Sequence, residues 1–176
     1  MSWSSDFVEL DKKLHDRISF NCDVPELNEF LLTRAARHMA AGISRTMVLP
    51  VTATLPSGKS LICSFYTIAP GSIERQTLVK DLAKKLPHYP VPVFLLAQLA
   101  VDTNFQSQGL GKATLVKALE HLRAINTQMK AYAVIVDCVN EKAEHFYQKF
   151  GFEFLSLHNG RVRMFMPMKM VILLFE

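Results

Sequence analysis

The sequence predicts an α/β fold with a mixed, mostly antiparallel central sheet flanked by helices. Three observations carry this. Two strand-like runs joined by a proline–glycine turn occupy residues 45–70. A third apolar run, 93–101, is apolar at both parities, as a strand covered on two faces should be. Helical periodicity then alternates with further strand-like runs to the C-terminal end. The chain has 176 residues, 49% apolar and 20% charged, which fits one globular domain over 1–176 rather than a disordered chain.

The first element is a helix over 25–41. Asp23 is in place to cap it, with Glu26 three residues later as in a capping box. Leu27, Leu31 and Ala35 share one face, with Phe30 and Met39 at its edges. Arg34 lies at the border of that face and Arg37 points away, while His38 falls within the apolar arc and reads as structural. Gly42 suits the end of the helix.

RTMVLPVTAT (45–54) and SLICSFYTIAP (60–70) follow as a hairpin around Pro56 and Gly58. Residues 72–92 are polar, carry Pro87, Pro90 and Pro92, and read as a loop with a helical turn at 78–85. After the 93–101 strand, QSQGLGKAT opens a helix over 109–128, with Leu110, Leu115, Ala118, Leu119 and Leu122 on its buried face. AYAVIVDC is another buried strand. NEKAEHFYQKF is a short helix stopped by Gly151, and strands are expected at 152–157 and 163–175. The unit 93–138 reads as a right-handed strand–helix–strand crossover.

The net charge of +4 is mild, but its distribution is uneven. No acid occurs in 30–73 or in 154–175. Arg34, Arg37, Arg45, Arg75, Lys80, Lys84 and Lys85 are the candidates for meeting a polyanion such as RNA, with Arg161 and Arg163 behind them. A solvated cationic surface accounts for the same pattern. Cys22, Cys63 and Cys138 are odd in number and widely spaced. No CxxC occurs, and His88 and His145 lack a ligand partner at metal spacing, so no disulfide framework and no metal site is expected. Neither a signal peptide nor a membrane-spanning run is recognisable, and the expected location is the cytoplasm.

The glycine pair admits two readings: a plain chain reversal, or an anion seat. The N-terminus of a helix presents unpaired N–H groups and positive potential, and glycines let a phosphate come close. Lys112 opposes the dipole, which suits an anion better than it suits the helix. The pattern is neither a Walker loop nor a full GxGxxG, because residue 114 is Thr.

Gln106-Ser107-Gln108-Gly109-Leu110-Gly111 resembles the Q/R-x-x-G-x-G/A signature of the GNAT superfamily of acyl-CoA N-acyltransferases. VNEKAEHFYQKFGF resembles that family's last motif, an Asn after a strand, an aromatic pair and Gly-Phe. FNCDVPELNEFL, SRTMVLP, SFYTIAPGSI and LAVD extend the likeness to the GNAT toxins of type II toxin–antitoxin pairs, almost end to end. The resemblance implies acetyl-CoA as cosubstrate. Its pyrophosphate would lie on Gln106, Ser107, Gln108, Gly109, Leu110, Gly111 and Lys112. Its pantetheine arm would pair with Leu99, Ala100 and Val101, with Asn140 and Phe146 nearby. Tyr147 would be the general acid that protonates the thiolate. Packing of the short helix by Phe146 and Tyr147, and its capping by Asn140, remain open beside these roles.

The same resemblance implies an aminoacyl-tRNA substrate, a ribbon-helix-helix antitoxin and a homodimer. A protein or small-molecule amine is the alternative acceptor. A non-catalytic acyl-CoA-binding module is a third reading, disfavoured by the glycine turn and Tyr147 together. The 93–101 strand has no Glu or His to act as base. A lysine amine titrates near 10.4, whereas an α-amino group titrates near 7.7–8.0 and lower beside an ester. A site without an evident base therefore suits an aminoacyl ester. Gln98 departs from the toxin pattern, which has a basic residue there.

Overall fold

The computed structural model describes every residue except Val79. Among the described residues eight strands are hydrogen-bonded in the order Val8–Glu9, Arg45–Thr54, Ser60–Ile73, Val91–Val101, Ala133–Asp137, Arg161–Pro167 and Glu153–His158, with His15–Asp16 beside Ser60–Ile73. In chain order these are β1 (Val8–Glu9), β2 (His15–Asp16), β3 (Arg45–Thr54), β4 (Ser60–Ile73), β5 (Val91–Val101), β6 (Ala133–Asp137), β7 (Glu153–His158) and β8 (Arg161–Pro167). The helices are α1 (Pro25–Glu29), α2 (Ala35–Ala40), α3 (Lys80–Ala83), α4 (Leu110–Asn126), α5 (Glu141–Lys149) and α6 (Met168–Leu173). The predicted mixed α/β sheet with flanking helices is what the chain forms.

The chain divides into two compact units, Met1–Ala69 with Gln98–Ala118, and Pro70–Ala97 with Leu119–Glu176. β4, β5 and α4 contribute residues to both. In the first unit, β1 pairs antiparallel with β3, and β3 with β4. β2 pairs parallel with β4. A core cluster of Leu49, Val51, Cys63, Phe105 and Leu110 fills this unit, with Trp3, Phe7, Leu61 and Val101 packed against it.

The predicted 25–41 helix is there, with two departures. Asp23 does not cap it: the N-cap is Val24, which makes no side-chain cap bond, and Asp23 sits just outside at φ 65°. Asp23 is left donating its own N–H to Asn21 Oδ1, within a turn held by the Asn21 and Asn28 side chains. The second departure is a π-turn, Phe30–Arg34, between α1 and α2. It admits one extra residue and keeps Leu27, Phe30, Leu31 and Ala35 all buried.

In the second unit, β5 runs parallel to β6 through Phe94↔Val134 and Leu95↔Ile135. β6 and β7 each pair antiparallel with β8. Ile73, Leu78, Val91, Val93, Ala133, Ile135, Leu155 and Phe165 form its core. Gly71 is needed for space: a Cβ there would lie 2.8 Å from Leu95 Cγ.

The predicted helical turn at 78–85 is present as α3, apart from Val79, which lies outside the described residues. The strand expected over 163–175 is overturned in its second half. β8 stops at Pro167, and Met168–Leu173 is helical, with Met168 and Val171 inward. Pro167 cannot donate to a ladder, while Met168 N–H bonds Tyr132 O at 2.9 Å and starts the turn. A short apolar run such as MVILLF does not distinguish strand from helix by itself.

Candidate active site

The glycine turn is a built structure. Asp102 directly follows β5 and is buried, at 4% exposure, and each carboxylate oxygen accepts a bond. Oδ1 accepts from Asn104 N at 2.9 Å and Oδ2 from Asn21 N at 3.0 Å. Its own N–H donates to Cys63 O at 2.8 Å, and its carbonyl accepts from Phe105 N at 2.9 Å. Thr103–Phe105 thus form one tight 3-10 turn. Gln106, the first residue of the signature, donates from Nε2 to Val101 O at 2.9 Å. That bond ties the turn to the end of β5 and makes Gln106 a brace.

Ser107 then takes φ 63° and Gly109 φ 81°, and α4 begins at Leu110. Two nearby left-handed residues turn successive N–H groups outward, and the first helical turn adds its own unpaired donors. Gly109 faces open space, with nothing within 4 Å of a would-be Cβ. The first turn of α4 carries no acid. Gln108, Gly109 and Lys112 are exposed, and Leu110 anchors the turn in the core. The Thr in place of a third glycine is accounted for: Thr114 is wholly buried, with Oγ1 2.6 Å from Leu110 O and 3.0 Å from Ser64 Oγ. The geometry fits an oxyanion such as pyrophosphate. Asp102 was not singled out from sequence. An Asp closing an apolar strand, ahead of a short polar turn, is the signal that could have found it.

The strand leading into this turn changes character along its length. Val91, Val93 and Leu96 are buried, whereas Ala97 is exposed and Gln98, Leu99 and Val101 are half-buried. Ala100 between them is buried, and the pairing of β5 with β6 runs through Phe94 and Leu95.

The second unit holds the aromatic helix. Asn140 is the N-cap of α5, its Oδ1 accepting from Ala143 N at 2.8 Å. The capping reading therefore holds, and Nδ2 is what Asn140 has to offer a ligand. Tyr147 is buried at 8% exposure. Its ring packs edge-on to Phe146 at 5.2 Å and against Phe152 at 5.3 Å. Its carbonyl accepts from both Phe150 N and Phe152 N as the chain turns at Gly151, φ 98°. Burial pushes the Tyr147 phenol up, and the nearby Cys138 adds to this. The hydroxyl thus keeps its proton throughout the physiological range, the state a proton donor needs. Cys138 is itself pushed up to about 11 by burial, Glu144 and Asp137. Cys63 is pushed up to about 12 by burial and Asp102. Both thiols stay protonated, as inert core cysteines do.

The basic candidates divide sharply. In the first unit, Arg34 lies over the Phe30 ring at 5.7 Å with a buried Nε that has no partner. Arg37 is exposed on α2, and Arg45 makes a loose pair with Glu9 at 3.8 Å. In the second unit, Lys80, Lys84 and Lys85 are exposed around α3. Arg75 is already engaged: Nε donates to Ala83 O at 2.7 Å and Nη1 lies 3.1 Å from His88 Nδ1. It holds its own loop. Arg163 is bidentate to Asp137 at 2.7 and 2.9 Å, a largely buried pair, and so braces β8 to β6. His38 stacks edge-on to Phe30 at 5.7 Å, the structural role expected of it. Among the described residues no group of three or more His, Cys, Asp or Glu is placed to hold a metal ion.

A glycine turn at the head of α4 and a buried phenol on α5 are the features to set beside known proteins. The profile of the acetyltransferase (GNAT) family matches residues 82–152. A "tRNA-acetylating toxin" of Mycobacterium tuberculosis is 32% identical over 138 residues, 78% of each chain. The chain belongs to the GNAT acetyltransferase family. A tyrosine-to-phenylalanine mutant of KacT is similar in structure, with a TM-score of 0.86 at 25% identity, covering 99% of this chain and 100% of that one. AtaT, in complex with acetyl-methionyl-tRNAfMet, gives a TM-score of 0.81 at 28% identity over 97% of this chain and 100% of that one. AtaTR bound with AcCoA gives 0.82 at 29% identity, covering 97% and 98%.

Proposed function

We propose that this protein is a toxin acetyltransferase that moves the acetyl group of acetyl-CoA to the amino group of aminoacyl-tRNA and so blocks translation. The observation that carries the reading is the kinship with the tRNA-acetylating toxin over 78% of both chains. The site supports it. Backbone N–H groups of Gln108, Gly109, Leu110, Gly111 and Lys112 hold the pyrophosphate, on a turn that Gln106 and Ser107 shape. Leu99, Ala100 and Val101 pair with the pantetheine arm and polarise the thioester carbonyl, a contribution worth about 3 kcal/mol per donor. Asn140 Nδ2 and the half-buried Phe146 are further contacts for the arm. Tyr147 gives its proton to the departing thiolate.

The acceptor amine needs little help, because an aminoacyl ester is substantially neutral at cell pH. Arg34, Arg37, Arg45, Lys80, Lys84 and Lys85 are the phosphate contacts, and Arg75 is set aside by its own hydrogen bonds. The toxin's partner is an antitoxin, which we take to be of the ribbon-helix-helix kind, and the toxin acts as a homodimer in the cytoplasm. Among the described residues no helix is long and apolar enough to cross a membrane. We treat 1–176 as one catalytic domain.

Inducing the wild-type chain without a partner gene tests the reading. Growth arrest that Tyr147→Phe abolishes supports it, and harmless wild-type expression overturns it.

A further inference from the structure

Among the described Phe, Tyr and Trp side chains two are exposed, Tyr89 at 67% and Phe154 at 60%. Their surroundings differ in charge. Phe154 follows the exposed Glu153 on β7 and shares a groove with Glu141 and Glu144. Tyr89 follows the exposed Lys84 and Lys85, and no acid occurs from 82 to 101. An acidic rim turns a polyanion away and a basic one draws it in. Of the two rings, Tyr89 is the one placed to meet RNA.

The loop that carries Tyr89 is closed and braced. Arg75 donates from Nε to Ala83 O at 2.7 Å, and its Nη1 lies 3.1 Å from His88 Nδ1. A guanidinium can only donate, so Nδ1 is the acceptor. One side chain therefore holds both ends of 83–88, with Lys84 and Lys85 inside the loop. Leu82, Ala83 and Leu86 pack against the core cluster of this unit. Pro87 and Pro90 bracket His88 and Tyr89, which fixes φ at both prolines and biases Tyr89 to extended backbone. The acids of this region, Glu74 and Asp81, precede the loop. A single exposed ring is ordinary by itself. This one is pre-ordered beside two cations, so little ordering remains to be done when a ligand arrives.

We propose that Tyr89 is a stacking platform for an unpaired base of the RNA substrate, with Lys84 and Lys85 on the adjoining phosphates. The inference rests on the RNA substrate proposed above and adds which feature of that RNA is recognised. Bases in a duplex are stacked on one another, whereas an unpaired base offers its face to an aromatic side chain. Lysines alone meet the phosphates of duplex and single strand alike. The ring therefore makes this surface favour single-stranded RNA. Stacking uses the ring face and not the hydroxyl, so phenylalanine serves as well as tyrosine.

The test measures binding of a short single-stranded RNA and of a blunt-ended RNA duplex by fluorescence anisotropy, for wild type, Tyr89→Ala and Tyr89→Phe. Tyr89→Ala should weaken the single strand by about tenfold or more, the scale of one base–aromatic stack, and leave the duplex unchanged. Tyr89→Phe should bind both RNAs as wild type does. Lys84→Gln with Lys85→Gln should weaken both and flatten the salt dependence. In acetyl transfer, Tyr89→Ala should raise the KM for aminoacyl-tRNA and leave kcat and the KM for acetyl-CoA alone. Tyr89→Ala that binds the single strand as wild type does, that loses both RNAs equally, or that Tyr89→Phe matches in its loss overturns the inference. So does a wild type that binds neither RNA. A wild type that leaves aminoacyl-tRNA unlabelled overturns the toxin reading instead, and the contrast between single strand and duplex still decides this one.

Discussion

In the proposed reaction the glycine turn and the aromatic helix would contribute in opposite ways. The turn is made of backbone. Its donors are peptide N–H groups, and side chains enter only as braces, Asp102 on Asn21 and Asn104, Gln106 on Val101. The helix would contribute one atom, the Tyr147 hydroxyl, on a ring packed against Phe146 and Phe152 as a phenylalanine could also be. A backbone seat binds any pyrophosphate of the right shape and tolerates most exposed substitutions. A single buried acid is silent in folding and decisive in turnover. Binding and chemistry should therefore separate cleanly by mutation.

The largest effect on rate belongs to the helix. Tyr147→Phe should lower kcat by about 10²–10⁴-fold, the usual range for a positioned acid. Acetyl-CoA affinity by calorimetry and the melting temperature should stay near wild type. A large loss of affinity would break the separation. Next comes the brace. Asp102→Ala leaves the N–H groups of Asn21 and Asn104 without acceptors, at about 1–3 kcal/mol for each one buried. It should lower the melting temperature and raise the KM for acetyl-CoA more than it lowers kcat. Gly109→Ala meets no neighbour but must hold φ 81°. A left-handed residue with a Cβ costs about 1–2 kcal/mol, read as a smaller fall in denaturation midpoint. Asn140→Ala removes the α5 cap and should cost about 1 kcal/mol. Because α5 carries Tyr147, kcat should fall with it while the acetyl-CoA KM holds.

The smallest effect is of pH on stability, in the first unit. His15 is buried and accepts from Asp11 N through Nδ1 at 3.0 Å. Burial lowers its pKa, against a raising influence from Asp11. A His lowered on folding binds its proton less readily folded than unfolded. Its contribution is thus full above the unfolded pKa, about 6.5, and is lost as pH falls towards the lower folded value. The melting temperature should decline below about pH 6.5. His15→Asn should flatten that decline.

The turn was the more legible half, because its residues must be glycine or polar and must follow a strand. The sequence offered the α5 cap as one of two roles for Asn140, and the cap is there, but it could not show that Asp23 would leave capping to the backbone. Those outcomes depend on how neighbouring turns close. The π-turn at Phe30–Arg34 leaves no mark in the apolar spacing, since one inserted residue keeps Leu27, Leu31 and Ala35 inward. MVILLF satisfies a strand's composition, and Pro167 decides for the helix α6 only once Tyr132 O is in place as acceptor. Arg75 and Arg163 read as free cations because their partners, Ala83 O and Asp137, are set by tertiary contact.

Transfer of acetyl to a charged tRNA can be measured directly. Radiolabelled acetyl-CoA should be incubated with the protein and total aminoacyl-tRNA, beside deacylated tRNA and a cell protein extract. Label on aminoacyl-tRNA alone, lost with Tyr147→Phe, is the expected result. Label on protein, or on no macromolecule, would contradict it and return the basic residues to ordinary surface.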